Sequence, residues 1–342
     1  MSFIDFSSKD FGVDLGTANI LVTLKGKGIV LREPAVVAVN SDNNDILATG
    51  KEAKEMLGKT PDNIKAIKPL KDGVIANLTA TGLMIKNMIK KVNKQYNTGK
   101  PKVVVGVPSG ITEVEQRAVE ETFFQCGAKD VNLIYEPMAA AIGAGLNVLE
   151  PNGKMIVDIG GGTTDVAVIS YGGVVVSESI KVGGNVIDQE IVNYLKNTQE
   201  LSIGLVTAEA LKINIGCAEP LVTELTMEIR GRSTENGLPK NVEISSKQIV
   251  EAMKKPIDEI VEAVLNTLSN TPPEIVSDIM ENGIYLAGGG ALIRSLDNVI
   301  AQKTGVQTYI AETPLDCVAI GTGKAVEDLE KYQRVFIPKS LR

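Results

Sequence analysis

Two stretches of this chain share one design, and the duplication narrows the folds open to it. Phe11-Gly12-Val13-Asp14-Leu15 leads through Gly16-Thr17-Ala18 into Asn19-Ile20-Leu21-Val22-Thr23-Leu24. Met155-Ile156-Val157-Asp158-Ile159 leads through Gly160-Gly161-Gly162-Thr163-Thr164-Asp165 into Val166-Ala167-Val168-Ile169. Each is an apolar strand, an acid, a turn of small residues and a second apolar strand. Each continues past paired glycines (Gly26 and Gly28; Gly172 and Gly173) into a third apolar run. Asp14 and Asp158 lie 144 positions apart, which predicts a duplicated architecture with one copy per half and a ligand cleft between the halves. Glycine lets the backbone bend sharply and lets its N–H groups approach an anion closely. A carboxylate beside such amides makes chemical sense with a cation such as Mg²⁺ between the charges. Taken singly, either stretch is equally open to a plainer reading as a β-hairpin with a glycine-rich loop.

The residue types that are missing remove most competing chemistries. The 342 residues include no histidine, so Ser-His-Asp and Cys-His triads and His-ligated zinc are excluded together. Cys126, Cys217 and Cys317 are widely spaced with no Cys-x-x-Cys pair, and are expected to be reduced packing residues of a cytoplasmic protein. A formal net charge of −7 argues against nucleic acid as the main partner. No run approaches the ~18 apolar residues of a membrane span, and the amino terminus lacks a signal-peptide pattern. Carboxylates, hydroxyls, lysine, arginine, backbone amides and a borrowed metal are left to do any chemistry.

Along the chain, residues 33–72 are mixed and lysine-rich and suit a small surface subdomain. Leu78 to Gln95 has helical spacing of Leu83, Ile85, Met88, Ile89 and Val92, and Val103 to Val107 is a buried strand. Thr112 with Glu115 forms a capping-box pattern for a helix that runs to Gln125 and stops at Gly127. A strand from Val131 to Tyr135 meets Glu136-Pro137, and a small-residue helix follows from Met138 to Leu146. Further helices are expected at Val186 to Leu195, Thr207 to Ile215 and Ser246 to Leu268. A two-stranded insertion is expected around the Asn236-Gly237 turn. Ile284 to Ala287 is a strand leading through Gly288-Gly289-Gly290 into a helix, and Asp316 opens the closing helix. Two decoys fail. Gly58-Lys59-Thr60 lacks the glycine a P-loop needs at position 53, which is alanine, and Gly321-Thr322-Gly323 is followed by Val326 where a dinucleotide fingerprint needs glycine or alanine.

Taken in order, Asp14-Leu15-Gly16-Thr17-Ala18-Asn19, Asp158-Ile159-Gly160-Gly161-Gly162-Thr163-Thr164 and Gly288-Gly289-Gly290-Ala291-Leu292 resemble the actin/Hsp70/sugar-kinase superfamily. Within it the chain is similar to the MreB family of bacterial actin homologues. Supporting stretches are Lys25 to Val30 with Arg32-Glu33-Pro34, Lys71 to Ala76, Val107 to Thr112, Glu136-Pro137, Met227 to Arg232, Gly237 to Lys240 and Pro314 to Ala325. The resemblance covers about residues 10 to 328.

The resemblance implies an α/β, actin-like fold of two related domains, each a mixed sheet flanked by helices, with a nucleotide cleft between them. Residues 1–32, 73–147 and 322–342 are then subdomain IA, 33–72 IB, 148–180 with 246–321 IIA, and 181–245 IIB. It also implies ATP or ADP as ligand. Thr17, Ala18 and Asn19 hold phosphate from the first turn, and Gly161, Gly162 and Thr163 from the second. Glu209 and Lys212 reach the adenosine, and Gly289, Gly290, Ala291 and Leu292 line the nucleotide. Asp14 and Asp158 hold Mg²⁺ through its waters, while Glu136 and Thr163 orient the attacking water. Positioning and charge neutralisation suffice for phosphoryl transfer, so the missing histidines are no obstacle. Plainer readings stay open: Glu136 as an acid favoured by a helix dipole, Glu209 and Lys212 as a surface pair, and the triple glycine as close packing.

The family resemblance further implies a slow ATPase that polymerises with itself, head to tail and laterally, alone or with other MreB paralogues, in support of cell shape or motility. A small-molecule kinase and an Hsp70-like ATPase of the same superfamily are the alternatives. Family members usually carry a bulky apolar loop that enters the bilayer, whereas Lys94 to Lys100 here holds one aromatic and two lysines. Weak contact with the inner face of the cell membrane could instead come from Phe3, Ile4 and Phe6 of the leader, or from Tyr332, Val335, Phe336, Ile337 and Leu341 among the basic residues of the tail. Both ends packing on the protein or staying disordered is the alternative. Lysine outnumbers arginine 28 to 7 and tryptophan is absent, which with the altered loop suggests a paralogue from a wall-less, spiroplasma-like bacterium. Asp165 stands where the family more often has glutamate.

Overall fold

The computed structural model describes residues 9–339 except Asn44, Asp72 and Gly73, and except the side chains of Lys71 and Val74. The leader residues Phe3, Ile4 and Phe6, and Leu341 of the tail, lie outside the described residues. The chain divides into two compact units. The first comprises Met1–Pro151, Ile169–Val174 and Asp316–Arg342, and the second Asn152–Val168 and Val175–Leu315.

In the first unit, β1 (Phe11–Leu15), β2 (Asn19–Leu24) and β3 (Gly28–Pro34) form an antiparallel meander. A small three-stranded sheet follows, with β4 (Val37–Asn40) between β5 (Ile46–Thr49) and β6 (Ile64–Ile67). Helix α1 (Lys51–Met56) lies in sequence between β5 and β6, and Val36, Ala38, Ala48 and Ala53 form a small core. A short hairpin, β7 (Leu70–Lys71) and β8 (Val74–Ile75), precedes α2 (Leu78–Tyr96). Met84, Ile85, Met88, Ile89 and Val92 of α2 are buried, whereas Leu83 is only half-buried. Then come β9 (Lys102–Val107), α3 (Glu113–Gln125), β10 (Asp130–Tyr135) and α4 (Glu136–Gly143). Strands β9 and β10 extend the meander in parallel with β1, giving the order β10-β9-β1-β2-β3.

The expected helix end at Leu146 is corrected to Gly143. Gly145 has φ +87°, its N–H donates to the Ile142 carbonyl (3.2 Å) and the Leu146 N–H to the Ala141 carbonyl (3.0 Å). This paired left-handed cap satisfies carbonyls the last turn leaves without partners.

The second unit repeats the plan. Strands β11 (Lys154–Ile159), β12 (Thr164–Ser170) and β13 (Gly173–Ile180) lead into α5 (Gly184–Thr198), β14 (Leu201–Ser202) and α6 (Leu205–Ile215). After β15 (Thr226–Ser233) and β16 (Pro239–Ser245) come α7 (Ser246–Ser269), α8 (Pro273–Asn282), β17 (Ile284–Ala287), α9 (Leu296–Thr304) and β18 (Thr308–Ile310). The main sheet has the order β13-β12-β11-β17-β18, with β11, β17 and β18 parallel. Read from the other edge, this is the order of the first sheet, strand for strand. The expected two-stranded insertion has three strands, because β14 pairs Leu201 with Ser233 and Ser202 with Arg232. A two-residue strand is too short to show alternation in sequence.

Helix α10 (Cys317–Glu327) closes the chain in the first unit, crossing α4. A Cβ on Gly143 would lie 1.8 Å from the Cys317 carbonyl oxygen, and one on Gly321 would lie 1.8 Å from that of Ala139. The two contacts are reciprocal: each glycine lies four residues after the carbonyl that the other glycine meets. Backbone meets backbone here, and only glycine permits it. The glycine at 321 therefore serves helix packing.

Beyond α10 the tail turns back on the first unit. Val335 is buried, the Ile337 N–H donates to the Leu133 carbonyl (2.8 Å), and Lys339 pairs with Asp130 (2.5 Å). Val335 and Ile337 of the tail thus pack on the protein. Among the described residues, no helix is long and apolar enough to cross a membrane.

Candidate functional site

In the first unit, Asp14 stands opposite Leu21 on β2 and beside Gly106 on β9, and Gly106 in turn stands beside Ile134 on β10. The parallel strands end together, so Asp14, the turn Thr17-Ala18-Asn19 and Glu136 lie along one carboxyl edge. Ligands of α/β sheets bind at such edges. Leu15 pairs with Ile20 next to the turn, and a Cβ on Gly16 would lie 2.7 Å from the Asn19 carbonyl oxygen. The Ala18 carbonyl accepts from the Ala35 N–H at 3.0 Å. Glu136 is the first residue of α4, half-buried, with Pro137 pre-setting the first turn.

Asp14 is buried, and burial is the main reason its carboxyl is pushed up to about 7. The Gly16 N–H opposes that rise, Asp316 adds to it and Arg32 opposes it. Asp316, just before α10, is itself paired to Arg32 at 2.5 Å. Sequence reasoning missed these two residues, which come near Asp14 only through folding.

In the second unit, Asp158 stands beside Ala287 on β17. The Gly160 N–H donates to the Thr163 carbonyl at 2.8 Å, leaving Gly161 and Gly162 at the tip. Counting back along the antiparallel pair places Asp165 opposite Asp158, where the first hairpin has Leu21 opposite Asp14. None of the three turn glycines is among the described residues with positive φ, so a left-handed bend is not what requires glycine here.

The tip is oriented by α5. The Gly184 N–H donates to the Gly160 carbonyl (3.0 Å) and the Asn185 N–H to the Gly161 carbonyl (2.8 Å). In a planar trans peptide the N–H points opposite to the C=O. The amides of Gly161 and Gly162 therefore face away from α5, side by side, as an anion cradle requires.

The third turn packs tightly over the end of β11. Gly288 has φ +77°, and a Cβ there would lie 2.3 Å from the Ile159 carbonyl oxygen and 2.5 Å from Asp158 Oδ1. One on Gly290 would lie 2.1 Å from Ile159 Cγ2. Close packing thus accounts for Gly288 and Gly290 whatever they bind. Gly289 is looser, its nearest neighbour being Leu315 at 3.2 Å, with Ala291 buried and Leu292 exposed.

Lys212 and Glu209 part company on α6. Glu209 is exposed, whereas the Lys212 ammonium lies 2.7 Å from Asp188 and donates to the Gly184 carbonyl at 3.0 Å. Asp188 is a third residue that sequence reading missed. It sits one turn into a helix whose apolar spacing alone attracts attention.

Duplicated five-stranded sheets of matching order, each with an acid and a small-residue turn at its carboxyl edge, define an actin-like fold. MreB 5 of Spiroplasma citri bound to AMPPNP matches it with a TM-score of 0.88 at 41% identity, over 94% of this chain and 96% of that one. The same protein bound to ADP matches equally well, at 40% identity. The chain belongs to the MreB/Mbl protein family, whose model matches residues 8–334. It is 47% identical to the cell shape-determining protein Mbl of Bacillus subtilis over 96% of its length and 98% of that protein's. It is 48% identical to the cell shape-determining protein MreB of Escherichia coli strain K12, over 95% of both chains. The chain is thus a member of a family of cell shape-determining, actin-like proteins.

Proposed function

We propose that this chain binds ATP with Mg²⁺, hydrolyses it slowly and polymerises into filaments. The observation that carries the reading is the orientation of the second turn, whose Gly161 and Gly162 amides face one way because the neighbouring carbonyls are held by α5. Two converging amides beside a buried carboxylate suit a polyphosphate, and the Spiroplasma citri relative was found with AMPPNP and with ADP. The donor set fits as well. Carboxylate oxygens are the ligands Mg²⁺ prefers, and the ion keeps several waters. Asp14 and Asp158 would hold it through them. When bound, the ion supplies positive charge against the phosphate oxygens.

The chain's own groups do the rest. Thr17, Ala18 and Asn19 take phosphate from the first turn, and Gly161, Gly162 and Thr163 from the second. Glu209, Lys212 and the segment Gly289 to Leu292 take the nucleoside. Glu136, at the strand edge that carries Asp14, orients water together with Thr163 and accepts its proton. Subunits add head to tail, a heterologous contact that extends without closing. Strands pair laterally, alone or with MreB paralogues, at the cytoplasmic face of the membrane in support of cell shape. With Val335 and Ile337 packed on the protein, membrane contact rests on Tyr332, Phe336 and the basic residues around them, and on the leader.

High-speed pelleting and electron microscopy with ATP, with ADP and without nucleotide, alongside phosphate release, test the whole. Filaments and slow phosphate release are expected with ATP. A chain that neither pellets nor releases phosphate overturns the proposal, and sugar-dependent ADP formation would make it a kinase.

A further inference from the structure

The Lys212 ammonium has partners of its own within the fold. It is largely shielded from solvent, as is its partner Asp188, with side-chain exposures of 13% and 9%. It grips two groups one helical turn apart on α5, the Gly184 carbonyl and the Asp188 carboxylate. That first turn is also the part of α5 whose N–H groups hold the Gly160 and Gly161 carbonyls. Helix α5 has no side-chain cap of its own; Gly183 occupies the cap position. A Cβ on Gly183 would lie 2.7 Å from the Gly160 carbonyl oxygen, so helix and turn are in backbone contact.

We infer that Asp188 is a positioning residue. Through Lys212 and the first turn of α5 it fixes the direction in which the Gly161 and Gly162 amides point, and so couples the nucleoside end of the site to the phosphate end. The inference rests on the nucleotide reading above and deepens it. The chain of contacts runs from α6 through Lys212 to Asp188 and Gly184, and from there through two backbone hydrogen bonds to the turn. Every contact in it is 3.0 Å or shorter. A ligand that draws the ammonium toward itself loosens the first turn of α5. A ligand that leaves it in place finds the cradle already formed.

Calorimetric titration of the full chain with Mg·ATP, Mg·tripolyphosphate and adenosine tests this. Asp188→Asn is expected to weaken tripolyphosphate and ATP about tenfold, the worth of about one charge-assisted amide–phosphate bond, and to leave adenosine unchanged. Asp188→Glu is expected to recover part of the loss. A general weakening of the fold would lower all three affinities together, and that result overturns the inference. So does unchanged tripolyphosphate affinity in a folded Asp188→Asn chain. Should Asp188→Asn fail to fold, Asp188→Glu carries the test: a smaller weakening of tripolyphosphate and ATP is expected with adenosine unchanged, and unchanged tripolyphosphate affinity there overturns the inference. A wild-type chain that binds neither ATP nor tripolyphosphate overturns the nucleotide reading itself, a result distinct from either of these.

Discussion

The two sheets have the same strand order, the same parallel core and the same two-residue turn, yet their strand edges carry different chemistry. The first hairpin has Thr17-Ala18 at its tip and Leu21 opposite Asp14. The second has Gly161-Gly162 at its tip and, by the same count, Asp165 opposite Asp158. The outer parallel strands differ as well. Ile134 aligns with Asp14 across β9. In the second sheet the equivalent line extends from Asp158 through Ala287 to Ala311, one residue past the Leu286–Ile310 pair. Two residues on, the first unit has Glu136 followed by Pro137, and the second has Thr313 followed by Pro314. One scaffold thus recurs with its edges altered: the first unit has the acid Glu136 here, and the second has two glycine amides at the tip of its turn. The helices that follow, α4 and α10, kept their symmetry.

That retained symmetry sets the largest expected effect. Gly143→Ala and Gly321→Ala should each destabilise the chain by more than about 4 kcal/mol, because in both a methyl group meets backbone that cannot retreat. Gly145→Ala, at a left-handed position with nothing within 4 Å, should cost only about 1 kcal/mol. Denaturant unfolding compares the three. If one of the crossing glycines tolerates alanine and the other does not, the contacts are not equivalent.

Glu136 tests the divergence of the outer strands. Glu136→Gln should lower phosphate release between about a hundredfold and ten-thousandfold while ATP still binds. Glu312→Gln, an exposed acid next to the equivalent position, should leave release unchanged. Equal losses would mean that the first unit holds no special acid. A smaller effect separates the tips. Gly162→Ala gives the second turn the residue the first has at Ala18, and should weaken ATP about tenfold by wedging a methyl group against the phosphate, with the melting midpoint unmoved. Ala18→Gly should change neither.

Much of this was legible in the sequence because it is local. Apolar runs, the capping box of Thr112 and Glu115, and the repeated acid and turn all depend on neighbours along the chain. So does the third strand after each hairpin. What was not legible depends on residues far apart in sequence. Arg32 meets Asp316 across 284 positions, and Lys339 meets Asp130 across 209. Lys212, expected at a nucleoside, also pairs with Asp188, which no spacing rule marks. For the triple glycine at 288–290 ligand chemistry and close packing were both open in the sequence, and Ile159 beneath it shows that two of its members serve packing. The tail's apolar residues suit a membrane or the protein by sequence alone; the burial of Val335 and the hydrogen bond from the Ile337 N–H to the Leu133 carbonyl, both made across the fold, place these two on the protein.

The smallest expected effect again contrasts two equivalent devices, the starts of α3 and α7. On α3 the Thr112 N–H donates to Glu115 Oε2 at 2.9 Å; on α7 the Ser245 N–H donates to Gln248 Oε1 at 2.9 Å. One acceptor titrates and the other does not. Burial alone would raise the Glu115 carboxyl, but hydrogen bonds from the Thr112 hydroxyl and backbone and from the Ile75 N–H outweigh it, and the group sits below its ordinary 4.5. A carboxyl lowered by folding stabilises the folded chain above its unfolded value and loses that contribution as pH falls through the folded value. Acidification below about 4.5 should therefore fray the start of α3 before that of α7. Glu115→Gln should give α3 the acid-insensitive form, at a cost below about 1 kcal/mol at neutral pH. Amide hydrogen exchange of the two first turns between pH 3 and 6 reads the difference, on the order of the few tenths to one kcal/mol a cap contributes. If α3 and α7 fray together in the wild type, the Glu115 carboxylate is not what holds the first turn of α3.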